Sequence, residues 1–358
     1  MKGGIFQAAL YPLLRIAFAG VSLNGKKANL TIRVYQNKRL IKEEKREFEA
    51  PNGVPSAMMF EYLQKLEKRN ACLYIATILA SINQGALPSC DSDFFHKMRI
   101  DTDNILTVNI DNRWSIYASV FDVEEIQKKY ISIDGIDYIF PTEALIDFAR
   151  RRMHISIDRR GAFAFLLYGK ASATLAIYQD DLLVYSSHII FDDDDSAETR
   201  SQNDISDIFD DALASDAIGD EAAQADAISD DFNTIEDLDA YMDSMTSSDS
   251  SDLNNAILPQ IDENPLSAPE LDFNEDIQQS NIRRDMLLFN FLKNSFNVFY
   301  KNENYDSDFI NHTAILEASE GAKSAAEFLR KELCIDATIY PIDVGATICD
   351  MAYEEAKS

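Results

Sequence analysis

One long stretch of negative charge divides this sequence. Residues 192–281 contain 27 of the 61 acidic residues of the chain, and Arg200 is the single basic residue among them. Outside this stretch acidic and basic residues almost balance, so the formal net charge of −28 does not describe a folded domain. Charge repulsion and a shortage of aromatic residues disfavour a packed core. We therefore predict a long disordered acidic insertion within a globular protein.

The parts on either side of the insertion repeat one order of predicted elements. In residues 16–48, apolar alternation predicts two strands joined at Asn24–Gly25, and a charged third strand that suits a sheet edge. Residues 162–191 repeat the order strand, glycine turn, strand, polar turn and strand, with the glycine turn at Gly169–Lys170. Helical patterns follow each unit. This repetition predicts an α/β protein with a two-lobed, actin-like fold, which is a duplicated RNase H-like fold.

The length of 358 residues is enough for two lobes of ordinary size. The predicted first lobe covers residues 14–157 and includes a small inserted subdomain at about 71–137. The predicted second lobe consists of residues 158–191 and 282–358. The acidic insertion would therefore interrupt the second lobe after its third strand.

Catalytic and metal-binding patterns are not found in the sequence. The cysteines have neither CxxC spacing nor a histidine at ligand distance, so we predict no metal site and a reducing, cytoplasmic location. The histidines form no known catalytic pattern, and no catalytic residue is assigned. Apolar runs are shorter than the roughly 20 residues that cross a bilayer. We expect membrane contact only through a partner.

Basic residues do not form the stripe typical of nucleic-acid-binding proteins. The two basic clusters are Arg150–Arg152 and Arg159–Arg160, without interleaved aromatic residues, and the acidic insertion would repel phosphates. Nucleic acid is therefore not an expected partner. The clusters are interpreted as a solvated helix end and a turn, with contact to an acidic partner as the alternative.

Three segments together resemble the PilM family, the soluble actin-like proteins of type IV pilus assembly. They are the opening strand with its turn from Gly20 to Gly25, the stretch from Gly161 to Phe191 and the stretch from Ala314 to Leu333. The resemblance covers residues 14–191 and 282–358 and lies in pattern and order. It implies an actin-like fold with two phosphate-binding turns, in which a carboxylate holds hydrated Mg²⁺ or orients water.

The first of these turns lacks its acidic residue. Ser22 and Asn24 could donate or accept hydrogen bonds, and Gly25 is retained, but none brings a charge to Mg²⁺. The third nucleotide element, which the resemblance places after a later strand, keeps only Gly321. Glu320 would put a carboxylate near the expected nucleoside.

The second turn retains Gly169 and Thr174 and also contains Lys170, but Leu167 stands where the aspartate should be. Without either carboxylate there is no evident Mg²⁺ site. We therefore predict a pseudo-ATPase that is not an enzyme and has no cofactor, since ATP and Mg²⁺ are disfavoured. Weak nucleotide binding stays open, and the glycines can equally be explained as turn residues alone.

Apolar residues recur at helical spacing in two places within the insertion. They predict short amphipathic helices that could fold against a partner's groove, and the alternative is a solubilising spacer. The candidate contact residues are Ile205, Ile208, Phe209, Leu213, Phe232, Ile235 and Leu238.

The resemblance implies a cytoplasmic scaffold at the inner membrane. It would bind the cytoplasmic N-terminal peptide of a PilN-like inner-membrane protein, within a type IV pilus, a secretion system or a flagellar motor, with ring-forming self-association as a further possibility. Two alternatives stay open. One is an active actin-like ATP-binding protein or ATPase with rewired phosphate loops, and the other is an adaptor that acts through the acidic insertion.

Overall fold

The computed structural model describes residues 14–98, 100–133, 135–153, 161–191, 273–302, 305 and 308–357. Its strands are β1 (Ile16–Asn24), β2 (Lys27–Gln36), β3 (Arg39–Glu49), β4 (Cys72–Leu79), β5 (Gln84–Leu87), β6 (Ile105–Ile110), β7 (Trp114–Ser119), β8 (Tyr138–Pro141), β9 (Ala162–Tyr168), β10 (Ser172–Gln179), β11 (Leu182–Ile190), β12 (Ile310–Glu317) and β13 (Asp336–Pro341). Its helices are α1 (Ala57–Glu67), α2 (Ser92–Lys97), α3 (Val120–Lys129), α4 (Thr142–Arg152), α5 (Phe273–Lys301), α6 (Ala322–Glu332) and α7 (Val344–Glu355).

The first lobe is built on a five-stranded sheet with the order β3-β2-β1-β4-β8. Strands β1, β2 and β3 are antiparallel neighbours, and β4 and β8 continue the sheet parallel to β1. The alternation along β2 places Ala28, Leu30 and Ile32 in the core. Strand β3 is charged, mostly exposed and at the edge, as predicted.

The second lobe repeats this arrangement in a sheet with the order β11-β10-β9-β12-β13. Strands β9, β10 and β11 are antiparallel neighbours, and β12 and β13 are parallel to β9. Strand β9 is buried along its whole length, as its continuous apolar sequence requires in the middle of a sheet. The two sheets share order and direction, so the predicted duplicated, two-lobed actin-like fold is confirmed.

Tight turns connect the antiparallel strands. Asn24 pairs with Lys27, so the first loop is Gly25–Lys26, one residue later than predicted. Gly25 has a φ of +61°, and glycine in the first loop position suits a type II′ turn. Both residues of the Asp180–Asp181 turn have positive φ, and this polar turn lies where the sequence predicts it.

The last helix of each lobe packs against the sheet of the other lobe. Helix α4 contacts β10, and helix α7 contacts β1, β2 and β4. One buried hydrophobic cluster includes Phe18 of the first sheet, Phe165 of the second sheet and Ile348 of α7. The two lobes therefore share a core.

Two glycines allow α7 to approach the first sheet closely. A Cβ atom at Gly20 would collide with the carbonyl oxygen of Gly345, and a Cβ atom at Gly345 would collide with the Thr31 side chain. The close contact between α7 and β1–β2 thus depends on the absence of both side chains.

A small three-stranded sheet, with the order β5-β7-β6, projects from the first lobe. It begins at Gln84, because β4 belongs to the main sheet. Strand β5 lies beside β11 of the second lobe, and Trp114 of β7 is buried. None of the helices in the described part of the chain has the length and hydropathy needed to span a bilayer.

Two helices differ from the sequence expectation. Helix α5 begins at Phe273, inside the range assigned to the acidic insertion, although its residues up to Asn281 are mainly polar. Helix α7 was not predicted, because its sequence is rich in small residues and lacks a strong apolar period. Its start is nevertheless marked by Asp343, whose Oδ1 accepts a hydrogen bond from the Ala346 amide at 2.9 Å.

Candidate functional site: the cleft between the lobes

A cavity of about 610 Å³ lies between the two sheets. Its walls include residues at the carboxyl ends of β1, β4, β9, β12 and β13. These ends converge because the parallel strands of both lobes point toward the cleft, and this is where α/β proteins generally bind ligands. We take this cavity as the candidate functional site.

The first predicted turn reaches the cavity through Ser22 and Asn24. Gly25 lies in the hairpin loop and is not part of the wall. The Oδ1 atom of Asn24 is buried and has no hydrogen-bond partner in the described residues. An uncharged amide therefore occupies the end of β1 in this cleft.

The second predicted turn contributes Gly169 and Lys170 to the cavity. The Gly169 amide donates to the Ser172 carbonyl at 2.9 Å, which closes the turn. Leu167 lies at the cavity wall but is 92% buried within the core shared by the lobes. The position at which the sequence resemblance expects an aspartate is thus part of the hydrophobic core.

Thr174 lies outside the cavity. It is buried in β10, and its Oγ1 atom is 2.6 Å from Nδ1 of His188 on β11. Burial lowers the pKa of His188 to about 4, so this histidine is neutral at physiological pH. Thr174 therefore supports the sheet and contributes no hydroxyl to the cleft.

Gly321 also lies outside the cavity wall. It precedes α6 with a φ of +118°, a conformation that favours glycine. A Cβ atom there would be 2.9 Å from Arg284 Nη2 and 3.1 Å from the Tyr168 hydroxyl. Arg284 donates a hydrogen bond to that hydroxyl and lies over the Tyr168 ring, so the two side chains fill the space beside Gly321.

Several cavity residues were not predicted. Lys45 of β3 pairs with Asp343 at the start of α7, and Lys129 at the end of α3 pairs with Glu125 at 3.0 Å. The only sequence signal for Asp343 was its position as a helix N-cap. No sequence pattern indicated that Lys45 and Lys129 line the cavity, because they reach the cleft only through the packing of elements that are distant in sequence.

The acidic side chains in the wall of the cleft are paired with lysines. Its acidic wall residues are Glu47 and Asp343, and each is paired with a lysine, Glu47 with Lys27 at 2.6 Å. In the part of the chain that the structure describes, no group of three histidine, cysteine or acidic side chains could hold a metal ion. Lys170 adds a positive charge at the second turn.

A second feature with functional potential is the free edge of the small sheet. Among the described residues strand β6 pairs with β7 alone, and its side chains Leu106 and Val108 are 51% and 57% exposed. Ile82 and Phe121 are also exposed nearby, where Asn83 accepts a backbone hydrogen bond from Ser119 at 2.9 Å. We call Ile82, Leu106, Val108 and Phe121 the β6 patch.

The residues proposed as contact points in the acidic insertion lie outside the described residues. They are Ile205, Ile208, Phe209, Leu213, Phe232, Ile235 and Leu238.

Comparison with protein-family models gives two matches. Residues 15–146 match the model described as Domain of unknown function (DUF8569), and residues 164–357 match the model described as Domain of unknown function (DUF8341). No curated protein matches the chain.

Solved structures with a similar architecture include a Bacteroides thetaiotaomicron protein with an actin-like ATPase fold (7% identity, TM-score 0.40, 98% of both chains covered). Others are the PilM-PilN type IV pilus biogenesis complex (11% identity, TM-score 0.45, 92% of this chain and 89% of that chain) and MreB 5 of Spiroplasma citri bound to AMPPNP (12% identity, TM-score 0.36, 95% of both chains). Because these sequence identities and TM-scores are low, the fold is assigned from the strand order of the two sheets.

Proposed function

The chain belongs to the family described as Domain of unknown function (DUF8341), and we propose that it is a PilM-like scaffold that uses an actin-like fold without hydrolysing ATP. In this proposal it acts at the cytoplasmic face of the inner membrane, as part of a type IV pilus, a secretion system or a flagellar motor. Its partner is the cytoplasmic N-terminal peptide of a PilN-like inner-membrane protein.

The observation that carries the proposal is the replacement of charged groups at the strand ends in the cleft. The end of β9 has Leu167, buried in the core, and the end of β1 has the uncharged Asn24. Phosphoryl transfer depends on electrostatic stabilisation by metal ions and positioned charges. A cleft with an apolar residue at such a position supports a binding or structural role.

The β6 patch supports a peptide partner. An edge strand offers unpaired backbone groups to an extended peptide, and exposed apolar side chains give it pockets. Asp101 and Asp103 precede the strand, and Asp122 lies beside Phe121. Cytoplasmic segments next to a membrane span are rich in lysine and arginine, so their charge is complementary to these aspartates.

Calorimetric titration with ATP and Mg²⁺, together with a phosphate-release assay, tests whether the protein binds or hydrolyses ATP. We expect no measurable heat of binding at millimolar ATP, and no phosphate release above the rate measured in buffer without protein. Micromolar binding or turnover that is lost on Lys170→Ala would contradict the proposal and favour an active ATPase with rewired phosphate loops.

Site-specific photo-crosslinking in the native cells tests whether the protein binds the N-terminal peptide of a membrane protein. A crosslinker at position 108 should attach to the cytoplasmic N-terminal segment of a single-span membrane protein, with the attachment site read by mass spectrometry. A crosslinker at Leu40 of β3, an exposed edge strand of the first lobe, is the matched control. Equal labelling from both positions, or attachment elsewhere on the partner, would exclude β6 as the docking edge.

Retention of the partner by a variant without residues 192–272 distinguishes the scaffold from an adaptor that acts through the acidic insertion. A scaffold retains its partner through the folded lobes, whereas an adaptor loses it.

A further inference from the structure

A second cavity, of about 330 Å³, lies where three elements meet. These are the turn between β6 and β7, the last turn of α4 and the turn between β10 and β11. The first belongs to the small sheet, and the other two belong to the first and second lobes. The lining residues are Asp111, Arg113, Trp114, Arg150, Arg151 and Asp181.

Arg150 forms a fixed wall of this cavity. Its guanidinium bonds to Asp147 at 3.0 Å and to Asp181 at 2.8 Å, and its Cζ lies 4.6 Å from the centre of the Tyr178 ring. Only 11% of its side chain is exposed. With two carboxylates and an aromatic face, Arg150 has its charge compensated within the protein.

Arg151 and Arg113 retain capacity for a ligand. The Nε atom of Arg151 bonds to Asp147 at 2.7 Å, but its Nη2 atom has only a long contact of 3.5 Å to Asp111. Arg113 is exposed and has no ion-pair partner in the part of the chain that the structure describes. Arg113 and Arg151 therefore both line the cavity, and each has donors that no close ion pair occupies in the described residues.

We propose that this arginine pocket binds a carboxylate side chain of an acidic peptide, held between Arg113 and Arg151. A planar guanidinium donates two parallel hydrogen bonds to a carboxylate, and this geometry is specific. Asp111 and Asp181 at the rim add negative charge, so a singly charged carboxylate is accommodated at lower cost than a dianionic phosphate. In this proposal the arginines in the last turn of α4 bind a ligand in addition to forming the end of the helix.

The position of the pocket gives the bound peptide contact with both lobes and the small sheet. It is separate from the inter-lobe cleft, with which it shares no lining residue. It also does not depend on the proposed scaffold function, because acidic peptides can be tested on the purified chain.

The fluorescence of Trp114 provides a direct test. This residue is the only tryptophan of the chain, it lines the pocket and it is 98% buried. Titration of the full chain with hexaglutamate at constant ionic strength is expected to change its emission saturably, whereas hexaglutamine is expected to have no effect. Pyrophosphate at equal concentration is expected to bind more weakly than hexaglutamate.

The matched variants are Arg113→Ala, Arg151→Ala and Arg152→Ala. Arg152 is the next residue on α4, but it pairs with Asp350 and Glu354 away from the pocket. Loss of a charge-assisted bidentate contact is expected to raise Kd for hexaglutamate about tenfold in the first two variants, with Arg152→Ala within about twofold of the wild type.

Three results would overturn the proposal. These are no saturable change with hexaglutamate, an equal loss of affinity in Arg152→Ala, and tighter binding of pyrophosphate than of hexaglutamate. Because Arg113 is exposed, Arg113→Ala is expected to keep the wild-type melting temperature, so lost binding in this variant cannot be attributed to unfolding.

Discussion

At the scale of single residues, the tight packing of Gly345 against Thr31 makes a measurable prediction. Gly345→Ala inserts a methyl group into the Thr31 side chain and should lower the free energy of unfolding by about 1–3 kcal/mol. In a Thr31→Ala background the cost should fall by about 1 kcal/mol, because the collision with Thr31 Oγ1 is removed while the contact with the Cβ atom of residue 31, at 2.9 Å, is kept. Urea denaturation of the four proteins in this double-mutant cycle measures the coupling. Additive effects would show that the two residues do not collide.

Glu143 is a second residue with a consequence for stability. It is fully buried at the start of α4, its Oε1 accepts a hydrogen bond from Ser186 at 3.0 Å, and burial raises its pKa from 4.5 to about 7. Between these values the folded protein keeps a proton that the unfolded chain has lost. Stability should therefore fall as pH rises from about 4.5 to about 7, by about 3 kcal/mol at most, and not change further through this group above pH 7.

Glu143→Gln removes this titration. Denaturation curves at pH 5 and pH 8 should show a smaller loss of stability with pH for the variant than for the wild type. Identical pH dependence of the two proteins would show that the Glu143 carboxyl is charged in the folded protein.

At the scale of elements, α7 is held to the first sheet by a partly buried ion-pair network. Asp350 accepts hydrogen bonds from Arg33 at 2.6 Å and Tyr35 at 2.9 Å, and its other oxygen is 3.1 Å from Arg152. The Arg33 and Asp350 side chains are 17% and 22% exposed. Removing the charge of Asp350 leaves Arg33 partly unpaired in a poorly solvated place.

Asp350→Asn should therefore lower the free energy of unfolding by about 1–3 kcal/mol. The control is Lys331→Ala, which breaks the exposed pair with Glu327 and should change stability by less than about 0.5 kcal/mol. Both are read from urea denaturation midpoints. Equal effects of the two substitutions would argue against the network as the attachment of α7.

The elements also show which parts of the fold the sequence determines locally. Both hairpin units were predictable, because Gly25 and Asp180–Asp181 fix turns and the flanking strands alternate or are continuously apolar. The inter-lobe position of α7 was not, because a contact between Gly20 and Gly345 leaves no periodic signal in the sequence.

The candidate site was only partly predictable for the same reason. Ser22, Asn24, Gly169 and Lys170 reach the cavity as the turn patterns suggested. Thr174 faces His188 of β11 instead, because it lies directly opposite this residue within the buried part of the sheet and outside the cavity wall. The cavity residues Lys45 and Lys129 come from elements whose mutual approach depends on tertiary packing.

At the scale of the whole molecule, the shared core predicts cooperative unfolding. The cluster that contains Phe18, Phe165 and Ile348 joins the two sheets through α7, so neither lobe buries its apolar surface alone. A variant with residues 192–272 replaced by a short Gly-Ser linker should unfold in a single calorimetric transition, with equal calorimetric and van't Hoff enthalpies. Two separated transitions would show that the lobes are thermodynamically independent.

The sequence separation between α7 and the first sheet has a consequence for biosynthesis. The ribosome makes β1, β2 and β4 first, but the helix that covers them comes from residues 344–355, which are synthesised much later. The first lobe therefore cannot complete its core until residues 344–355 have left the ribosome, and its apolar surface stays uncovered until then. During this interval the nascent chain is expected to depend on chaperones, and a ribosome-stalled chain that ends before residue 344 should be sensitive to proteases in its first lobe.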